Sequence, residues 1–253
     1  MIKLYLGNVG SGKTLMAVKE IVDNITNVPY YTNIKPKLPA LTPWFRMISP
    51  DMIVKKEELG VKNHKDGTAE PVYKFTFNET FWKEVEKPLN LVLDEAHELF
   101  DARRSMSNIN KILADFTALA RRILGEAPYA NTNLIYITQL DNRIDCIARD
   151  MAHQIRYHRC HYLITCERCN ASFREHSDSP EQAQVCPRCG DYHIRRHGHT
   201  IEVMHFAGIK AYDAWKDFGI DTAHAHYYVH DVEKYFKYYE TLQWENFFAA
   251  LYQ

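Results

Sequence analysis

The sequence lacks the features that mark membrane, disordered or strongly charged proteins. No run of the 253 residues approaches eighteen apolar positions, so we expect neither a signal peptide nor a membrane span, and a cytoplasmic location. Glycine and proline occur only ten times each, which argues against long disordered tracts. The net charge of −1 excludes a uniformly basic surface, so any nucleic-acid contact must come from a local patch.

What is present begins with a glycine-rich loop directly after the first apolar run. Gly7-Asn8-Val9-Gly10-Ser11-Gly12-Lys13-Thr14 follows residues 2–6, and apolar residues continue at helical spacing to position 22. A loop between a strand and a helix presents backbone N–H groups and a helix N-terminus to phosphates. Lys13 is predicted to reach the outer phosphates of ATP, and the Thr14 hydroxyl to bind Mg²⁺. The sequence therefore predicts a nucleoside triphosphate site.

A second motif supplies two acids. Residues 90–93 are apolar enough for a buried parallel strand and are followed by Asp94 and Glu95. Asp94 is predicted to hold the magnesium ion, and Glu95 to orient and deprotonate the attacking water. The alternative is that these acids only cap the element that follows. After a complete phosphate loop, the catalytic interpretation is the one we adopt.

A third apolar run, residues 133–137, ends in Thr138 and Gln139. Ligands of α/β sheets gather beyond the carboxyl ends of the strands, so Gln139 is predicted to contact the γ-phosphate or its water. The alternative is a solvent-facing Gln. A helix predicted over residues 108–124 precedes this strand and ends in Arg121 and Arg122. Either arginine is a candidate to reach a neighbouring subunit's nucleotide, or both simply occupy a helix end that favours cations.

Four of the six cysteines form two close pairs. Cys166 with Cys169, and Cys186 with Cys189, are separated by sixteen residues, a spacing typical of tetrahedral Zn²⁺. Alternating residues before and after the pairs, at 154–164 and 200–207, indicate a hairpin with the zinc knuckle at its tip. Cys146 and Cys160 are expected to be buried apolar side chains.

The segment around the cysteines is rich in arginine. Residues 143–200 contain nine Arg and no Lys, which suits fixed phosphate contacts. One hypothesis is that the knuckle contacts DNA through Arg188, Arg195 and Arg196, or that it contacts a protein partner; the alternative is a zinc-stapled surface loop. We divide the chain into a core at residues 1–158, a zinc-binding insertion at 159–199, and a final strand with an aromatic helix at 200–253.

The remaining regions carry less information. Residues 35–70 read as an irregular insertion or an extra hairpin on the sheet, residues 72–77 as a strand, and residues 80–86 as a helix. The aromatic tail, residues 232–251, is expected to pack on its own domain or, as the minority interpretation, to dock on a neighbouring subunit.

The motifs taken together resemble the Zot-type branch of the FtsK–HerA superfamily of P-loop ATPases. The resemblance rests on the phosphate loop, on Tyr31-Thr32-Asn33-Ile34, on Asp94-Glu95-Ala96-His97, and on the helix of Arg121 that leads to Thr138-Gln139. Residues 141–145 and 147–150 are similar to the segment that follows there. It covers roughly residues 1–158 and 200–215, and it implies an α/β fold of the RecA/FtsK-like P-loop NTPase type, a mainly parallel sheet flanked by helices.

The resemblance also implies a function. Members pump DNA as rings, usually hexamers, with nucleotide sites between subunits, and viral branches package genomes or extrude virions. Lys13, Thr14, Asp94, Glu95 and Gln139 match the site. The arginine that acts on the neighbour is not fixed, and the candidates are Arg103, Arg104, Arg121, Arg122, Arg143 and Arg149. The membrane span that is typical of Zot proteins of filamentous phages does not follow the motifs here.

The first hypothesis is therefore an ATP-driven translocase of double-stranded DNA, a viral packaging motor in the host cytoplasm that meets a capsid or portal protein at the packaging vertex. The second is a virion morphogenesis or secretion ATPase without a DNA grip. The third is a nucleotide-switched module that recruits a partner through the knuckle, against which Glu95 argues, because a switch needs no catalytic base.

Overall fold

The computed structural model describes residues 1–24, 28–37, 45–63, 69–96, 108–125, 132–139, 146–179 and 183–240. The strands are β1 (Ile2–Leu6), β2 (Tyr30–Thr32), β3 (Phe45–Met47), β4 (Val54–Asn63), β5 (Ala69–Phe77), β6 (Asn90–Leu93), β7 (Leu134–Ile137), β8 (Gln154–Cys166), β9 (Ser172–His176), β10 (Ile194–Phe206) and β11 (Ala225–Val229). The helices are α1 (Lys13–Asp23), α2 (Pro50–Ile53), α3 (Glu79–Glu84), α4 (Asn108–Ala118), α5 (Ala120–Leu124), α6 (Cys146–Asp150), α7 (Ile209–Phe218) and a 3₁₀ helix (Val232–Tyr238).

A nine-stranded sheet organises the described residues, in the order β11-β10-β8-β1-β7-β6-β2-β3, with β9 paired to the outer half of β8. The six strands from β8 to β3 are parallel, and β9, β10 and β11 are antiparallel additions at one side. Strand β7 lies between β1 and β6, so the carboxyl ends of all three meet at one edge. This is the predicted α/β fold with a mainly parallel sheet.

Helices cover both faces of the sheet. The buried side of α1 packs on one face through Leu15, Val18 and Ile21, together with Tyr5 of β1. Leu4 and Leu6 point to the other face, where α4, α5 and α7 lie. All five residues of β1 are buried, because helices cover both faces of the sheet, as expected for a central parallel strand. The predicted helix 108–124 is divided at Leu119 into α4 and α5, with a tighter turn in which Arg122 N donates to Leu119 O at 2.8 Å.

The prediction for residues 35–70 was partly wrong. Strands β4 and β5 do form a hairpin, but they pair only with each other and not with the main sheet. The base of this ribbon packs on α4, where the rings of Phe77 and Phe116 lie 6.0 Å apart. The same segment contributes β3 to the main sheet, because Phe45–Met47 pairs in parallel with β2.

The hairpin of β8 and β10 has the predicted form. Its register runs from Ile155 opposite Phe206 to Cys166 opposite Ile194, with an irregularity between His197 and Thr200. The inner half belongs to the main sheet, and the outer half projects beyond the carboxyl end of β1. The proposed domain boundaries at 158 and 199 stay predictions; both strands run through them.

The carboxyl-terminal part packs on its own domain where it is described. The 3₁₀ helix rests on α1, where the Tyr235 hydroxyl donates to Asp23 at 3.1 Å, and Lys37 N donates to Tyr238 O at 2.9 Å. Residues 241–253, which include the rest of the predicted aromatic tail, lie outside the described residues. The predicted helix at 80–86 is α3, capped by the Asn78 side chain. Among the described residues, no helix has the length and apolar character needed to cross a membrane.

Candidate functional site

The glycine-rich loop connects β1 to α1, as the sequence predicts, and rests on the β8–β10 hairpin. A side chain on Gly7 would clash with the carbonyl oxygen of His158, and one on Gly12 would clash with the Ile201 side chain. Gly12 also has a φ of 88°, which favours glycine. A backbone contact that is remote in sequence therefore requires glycine at position 7, whereas Gly12 is favoured by its φ and by the space next to the Ile201 methyl group.

Lys13 lies across the loop. Its ammonium donates to the carbonyl oxygens of Gly7 at 2.8 Å and Asn8 at 2.9 Å. Burial lowers the pKa of Lys13, and the nearby carboxylates of Asp94, Glu95 and Asp178 oppose that effect. The ammonium is thus placed inside the loop, next to the acids that the sequence predicts for the metal and the water.

Thr14 and Asp94, eighty positions apart, are in direct contact. The Thr14 hydroxyl donates to Asp94 Oδ2 at 2.8 Å. Burial raises the pKa of Asp94 to about 6, although the Thr14 hydrogen bond opposes the rise. A carboxylate that is costly to ionise in this enclosure, beside a hydroxyl oxygen, suits a hard divalent cation, so both residues fit the predicted Mg²⁺ site.

Asn33 fixes the backbone of Asp94. Its side-chain oxygen accepts from Asp94 N at 2.7 Å, and its side-chain nitrogen donates to Asp94 O at 2.9 Å. The next residue, Glu95, has a left-handed φ of 50°, and its N–H donates to Asp94 Oδ1 at 2.9 Å. This two-point contact between the ends of β2 and β6 holds both acids in place. The sequence reasoning assigned Asn33 no role, since the contact joins residues that are 61 positions apart.

Gln139 contacts the second acid. Its side-chain nitrogen donates to Glu95 Oε1 at 3.2 Å. Thr138 is buried, and its N–H continues the β1–β7 pairing by donating to Tyr5 O at 3.0 Å. Strand β7 therefore places Gln139 between the glycine-rich loop and the acids. The catalytic roles of Lys13, Glu95 and Gln139 remain predictions, but the structure brings the three residues to one edge.

The hairpin adds a residue that the motifs do not contain. Asp178, which follows β9, accepts a hydrogen bond from the Asn8 side chain at 3.3 Å. The same carboxylate accepts from Tyr157 at 2.9 Å and from Arg159 Nε at 2.6 Å. The tip of the phosphate loop is thereby bonded to the arginine-rich hairpin.

The arginine candidates lie apart from this edge or outside the described residues. Arg121 and Arg122 are exposed on α5, whose end lies beside the start of β6, because Leu89 N donates to Leu124 O at 2.9 Å. They are therefore at the opposite edge of the sheet from Asp94. Arg149 forms an ion pair with Asp150 at 3.5 Å. Residues 103, 104 and 143 are not among those described.

The four paired cysteines converge at the tip of the hairpin. Their sulfur atoms all lie within 4.8 Å of one another, with Cys166 Sγ 3.6 Å from Cys189 Sγ and Cys169 Sγ 3.6 Å from Cys186 Sγ. Four thiolates at about 2.3 Å from a tetrahedral zinc ion would be about 3.8 Å apart, so the cluster fits Zn²⁺.

The backbone around the cysteines also suits a metal. Burial opposes ionisation of Cys186, but N–H groups of Cys189 and Arg188 lower its pKa to about 7. Cys160 lies apart from the cluster and is buried, and burial raises its pKa to about 12, as expected of an apolar role. The side chain of Cys146 lies outside the described residues.

A strand, a glycine-rich loop and a helix that begins with Lys-Thr, together with an Asp at the end of a neighbouring parallel strand, define the P-loop NTPase fold. The family model described as "Zonular occludens toxin (Zot)" matches residues 1–184, so the chain belongs to the Zot family. The match includes the phosphate loop, both acids and the first cysteine pair. A comparison with curated protein sequences gives no match.

Several solved structures are similar to the chain. The N-terminal domain of zonular occludens toxin from Neisseria meningitidis is 17% identical with a TM-score of 0.49, and the match covers 94% of this chain and 98% of that chain. The genome packaging NTPase B204 from Sulfolobus turreted icosahedral virus 2, in complex with ATP-gammaS, is 14% identical with a TM-score of 0.37, and covers 62% and 74%. B204 described as the DNA-packaging ATPase from Sulfolobus turreted icosahedral virus is 16% identical with a TM-score of 0.36, and covers 62% and 74%.

Proposed function

We propose that this protein is an ATP-hydrolysing translocase of double-stranded DNA that acts as a ring oligomer in viral genome packaging. The observation that carries the ATPase part is the 2.8 Å contact between Thr14 and Asp94, which joins the glycine-rich loop to the acidic pair. Family membership supports a viral ATPase of the Zot type, and the arginine-rich hairpin supports DNA as the cargo.

The residues at this edge divide the chemistry of ATP hydrolysis. The loop N–H groups, the start of α1 and Lys13 bind the phosphates, and Thr14 and Asp94 are the side chains that would hold Mg²⁺. When bound, that ion neutralises charge on the phosphate oxygens. Glu95 takes a proton from the attacking water. The water oxygen bonds to the γ-phosphorus while the bond from that phosphorus to the β–γ bridging oxygen breaks, which yields ADP and phosphate.

Gln139 connects the base to the nucleotide. Its 3.2 Å hydrogen bond to Glu95 orients the carboxylate, and its position at the end of β7 allows it to respond to the γ-phosphate. We assign the four cysteines to a structural Zn²⁺ that holds the tip of the hairpin, because that tip has few apolar side chains of its own.

In the proposed ring, a neighbouring subunit supplies the arginine that contacts the γ-phosphate. Arg121 is exposed and lies at the opposite edge of the sheet from the chain's own acids, so we assign it to the nucleotide of a neighbouring subunit and not to its own. An arginine that reaches a neighbour's γ-phosphate adds orders of magnitude to the rate. In this proposal the motor works in the host cytoplasm at the packaging vertex, against a capsid or portal protein.

The test is the ATPase rate with and without double-stranded DNA. We expect severalfold stimulation by DNA, and loss of turnover with retained ATP binding in the Glu95→Gln variant, which keeps the shape of the side chain but removes the base. Equal rates with and without DNA would instead support a Zot-type morphogenesis ATPase. Native mass measured with an ATP analogue and Mg²⁺ checks the ring, and a strict monomer at high concentration would exclude the role of Arg121.

A further inference from the structure

The outer half of the hairpin has two faces with different chemistry. Strand β8 lies between β10 and β9, and opposed residues share a face. On one face Arg195, Thr165 and Ser172 form a row, and His197, Leu163 and Arg174 form the next. The Thr165 hydroxyl is 2.9 Å from His197 Nε2 and 3.1 Å from Ser172 Oγ, which confirms the shared side. We call these two rows the arginine face.

The opposite face of the outer hairpin packs as a small hydrophobic core, and one arginine, Arg196, contacts it. Tyr162, Ile164, Phe173 and Ile194 pack there as an extension of the main core. Arg196 donates to Ala183 O at 2.7 Å, and its guanidinium lies 5.5 Å from the Tyr162 ring centroid. Arg196 thus has partners within the hairpin, including Glu175 at 3.8 Å, and the sequence-based expectation that it contacts DNA stays a prediction.

The two arginines of the arginine face, Arg174 and Arg195, make no comparable contacts with the described residues of the hairpin. Arg174 and Arg195 are exposed, and neither guanidinium forms a hydrogen bond or an ion pair with a described residue. Arg195 lines an open groove of about 620 Å³ with Thr165, Glu167 and His197. The other nearby acid, Glu202, is buried and already bonded to Arg159 at 3.2 Å and to two histidines. Glu167 is an exposed acid in the same groove, so Arg174 and Arg195 together still leave this described face with a net positive charge.

The spacing of the face indicates what it contacts. Two strand separations of about 4.8 Å and a shift of two residues place the backbones of Arg174 and Arg195 about 12 Å apart, so they reach two different phosphates. Between them lie hydroxyl and imidazole donors, and the two rows contain no Phe, Tyr or Trp on which a base could stack. Such a surface suits the backbone of a duplex rather than unstacked single strands.

We propose that the arginine face binds the phosphate backbone of double-stranded DNA, with Arg174 and Arg195 as the two charged contacts. This deepens the translocase proposal and rests on it. The face projects from the carboxyl edge of the sheet, where the nucleotide site lies. Strand β9, which carries Arg174, continues to Asp178, and Asp178 accepts a hydrogen bond from Asn8 of the phosphate loop. The DNA contact and the nucleotide contact are thereby parts of one hairpin.

The experiment measures the affinity of the zinc-loaded, full-length protein for a short duplex across a salt series, with a non-hydrolysable ATP analogue and Mg²⁺ present. Arg174→Ala combined with Arg195→Ala should weaken binding by about tenfold or more and make the log–log salt dependence shallower by about 1.8, since each lost phosphate contact removes about 0.9. The double Lys variant should keep the slope, because it keeps the charge.

The matched control removes the same charge from the tip of the hairpin. Arg168→Ala combined with Arg188→Ala lies outside the two rows of the arginine face and should leave affinity and slope near those of the parent protein, so the control also tests the sequence-based expectation that Arg188 contacts DNA. Unchanged binding in the Arg174 and Arg195 variant, or an equal loss in the control, overturns the assignment of the face while leaving the translocase proposal in place. A parent protein that binds no DNA overturns both.

Discussion

Replacement of Asp94 by asparagine should make the ligand-free protein more stable at neutral pH. Burial raises the pKa of Asp94 from the ordinary 3.8 to about 6, so the folded state keeps a proton that the unfolded chain has already lost between those values. Stability therefore falls as the pH rises through this window, by up to about 3 kcal/mol, since each pH unit corresponds to about 1.4 kcal/mol. Asparagine has no charge to bury.

The replacement keeps the local hydrogen bonds. The amide oxygen can still accept from Glu95 N, and the Thr14 hydroxyl can turn to accept from the amide nitrogen. Denaturant unfolding without Mg²⁺ or nucleotide should show Asp94→Asn to be more stable by about 2–3 kcal/mol at pH 8, or about 5–10 °C in Tm, and equal to the parent below about pH 4. Mg-ATP should reverse the order, because only the parent gains the metal.

Two outcomes would refute this reasoning. An Asp94→Asn variant that unfolds at the same or a lower denaturant concentration at pH 8 would show that ionised Asp94 carries no burial cost. A gain that is the same at pH 4.5 as at pH 8 would show that the cost does not come from the charge. Asp217→Asn, on the exposed end of α7, is the control and should leave the unfolding midpoint unchanged at both pH values.

Three further changes test other parts of the structure. Asn33→Ala should lower kcat severalfold and weaken the Mg²⁺ dependence of ATP binding while Tm changes little, because the variant releases the backbone of Asp94. A large fall in Tm that accompanies the loss of activity would mean that Asn33 has a purely structural role. Gly12→Ala should destabilise the protein by about 1–3 kcal/mol in denaturant unfolding, and Ile201→Val, which removes the methyl in its path, should recover part of that loss but none of the φ strain. Metal replacement with Co²⁺ should give the absorption of a tetrahedral thiolate site at one ion per chain, and a substoichiometric or octahedral signal would contradict the zinc assignment.

The sequence predicts those parts of the fold that depend on neighbours along the chain. The strand, loop and helix at residues 2–23 follow from an apolar run, glycines and helical spacing, and the hairpin follows from alternation on both sides of the cysteine pairs. By contrast, β3 has only three residues, and its strand pairing to β2 leaves no periodic signal. Helix α7 was also missed, although Gly208 and Gly219 flank it and Tyr212 is buried.

The site divides in the same way. Lys13, Thr14, Asp94 and Glu95 are recognisable because each sits at a fixed offset within a local motif. Asn33, Asp178 and Ile201 act through contacts with residues far along the chain, and no spacing rule predicts such contacts. Signals for two of them exist in retrospect: Asn33 follows a buried strand at the ligand edge, and Asp178 lies in the arginine-rich segment that the charge pattern already marks.

The contact between the phosphate loop and the β8–β10 hairpin affects how the protein folds during its translation. Gly7 packs on His158 and Gly12 on Ile201, so the phosphate loop at residues 7–14 waits for a strand that is translated almost two hundred residues later. A shortened chain that stops at residue 158 would contain every nucleotide motif, yet it would lack β10 and with it the Ile201 side chain on which Gly12 packs. We expect nascent chains to gain ATP affinity late and abruptly, once β10 has been made.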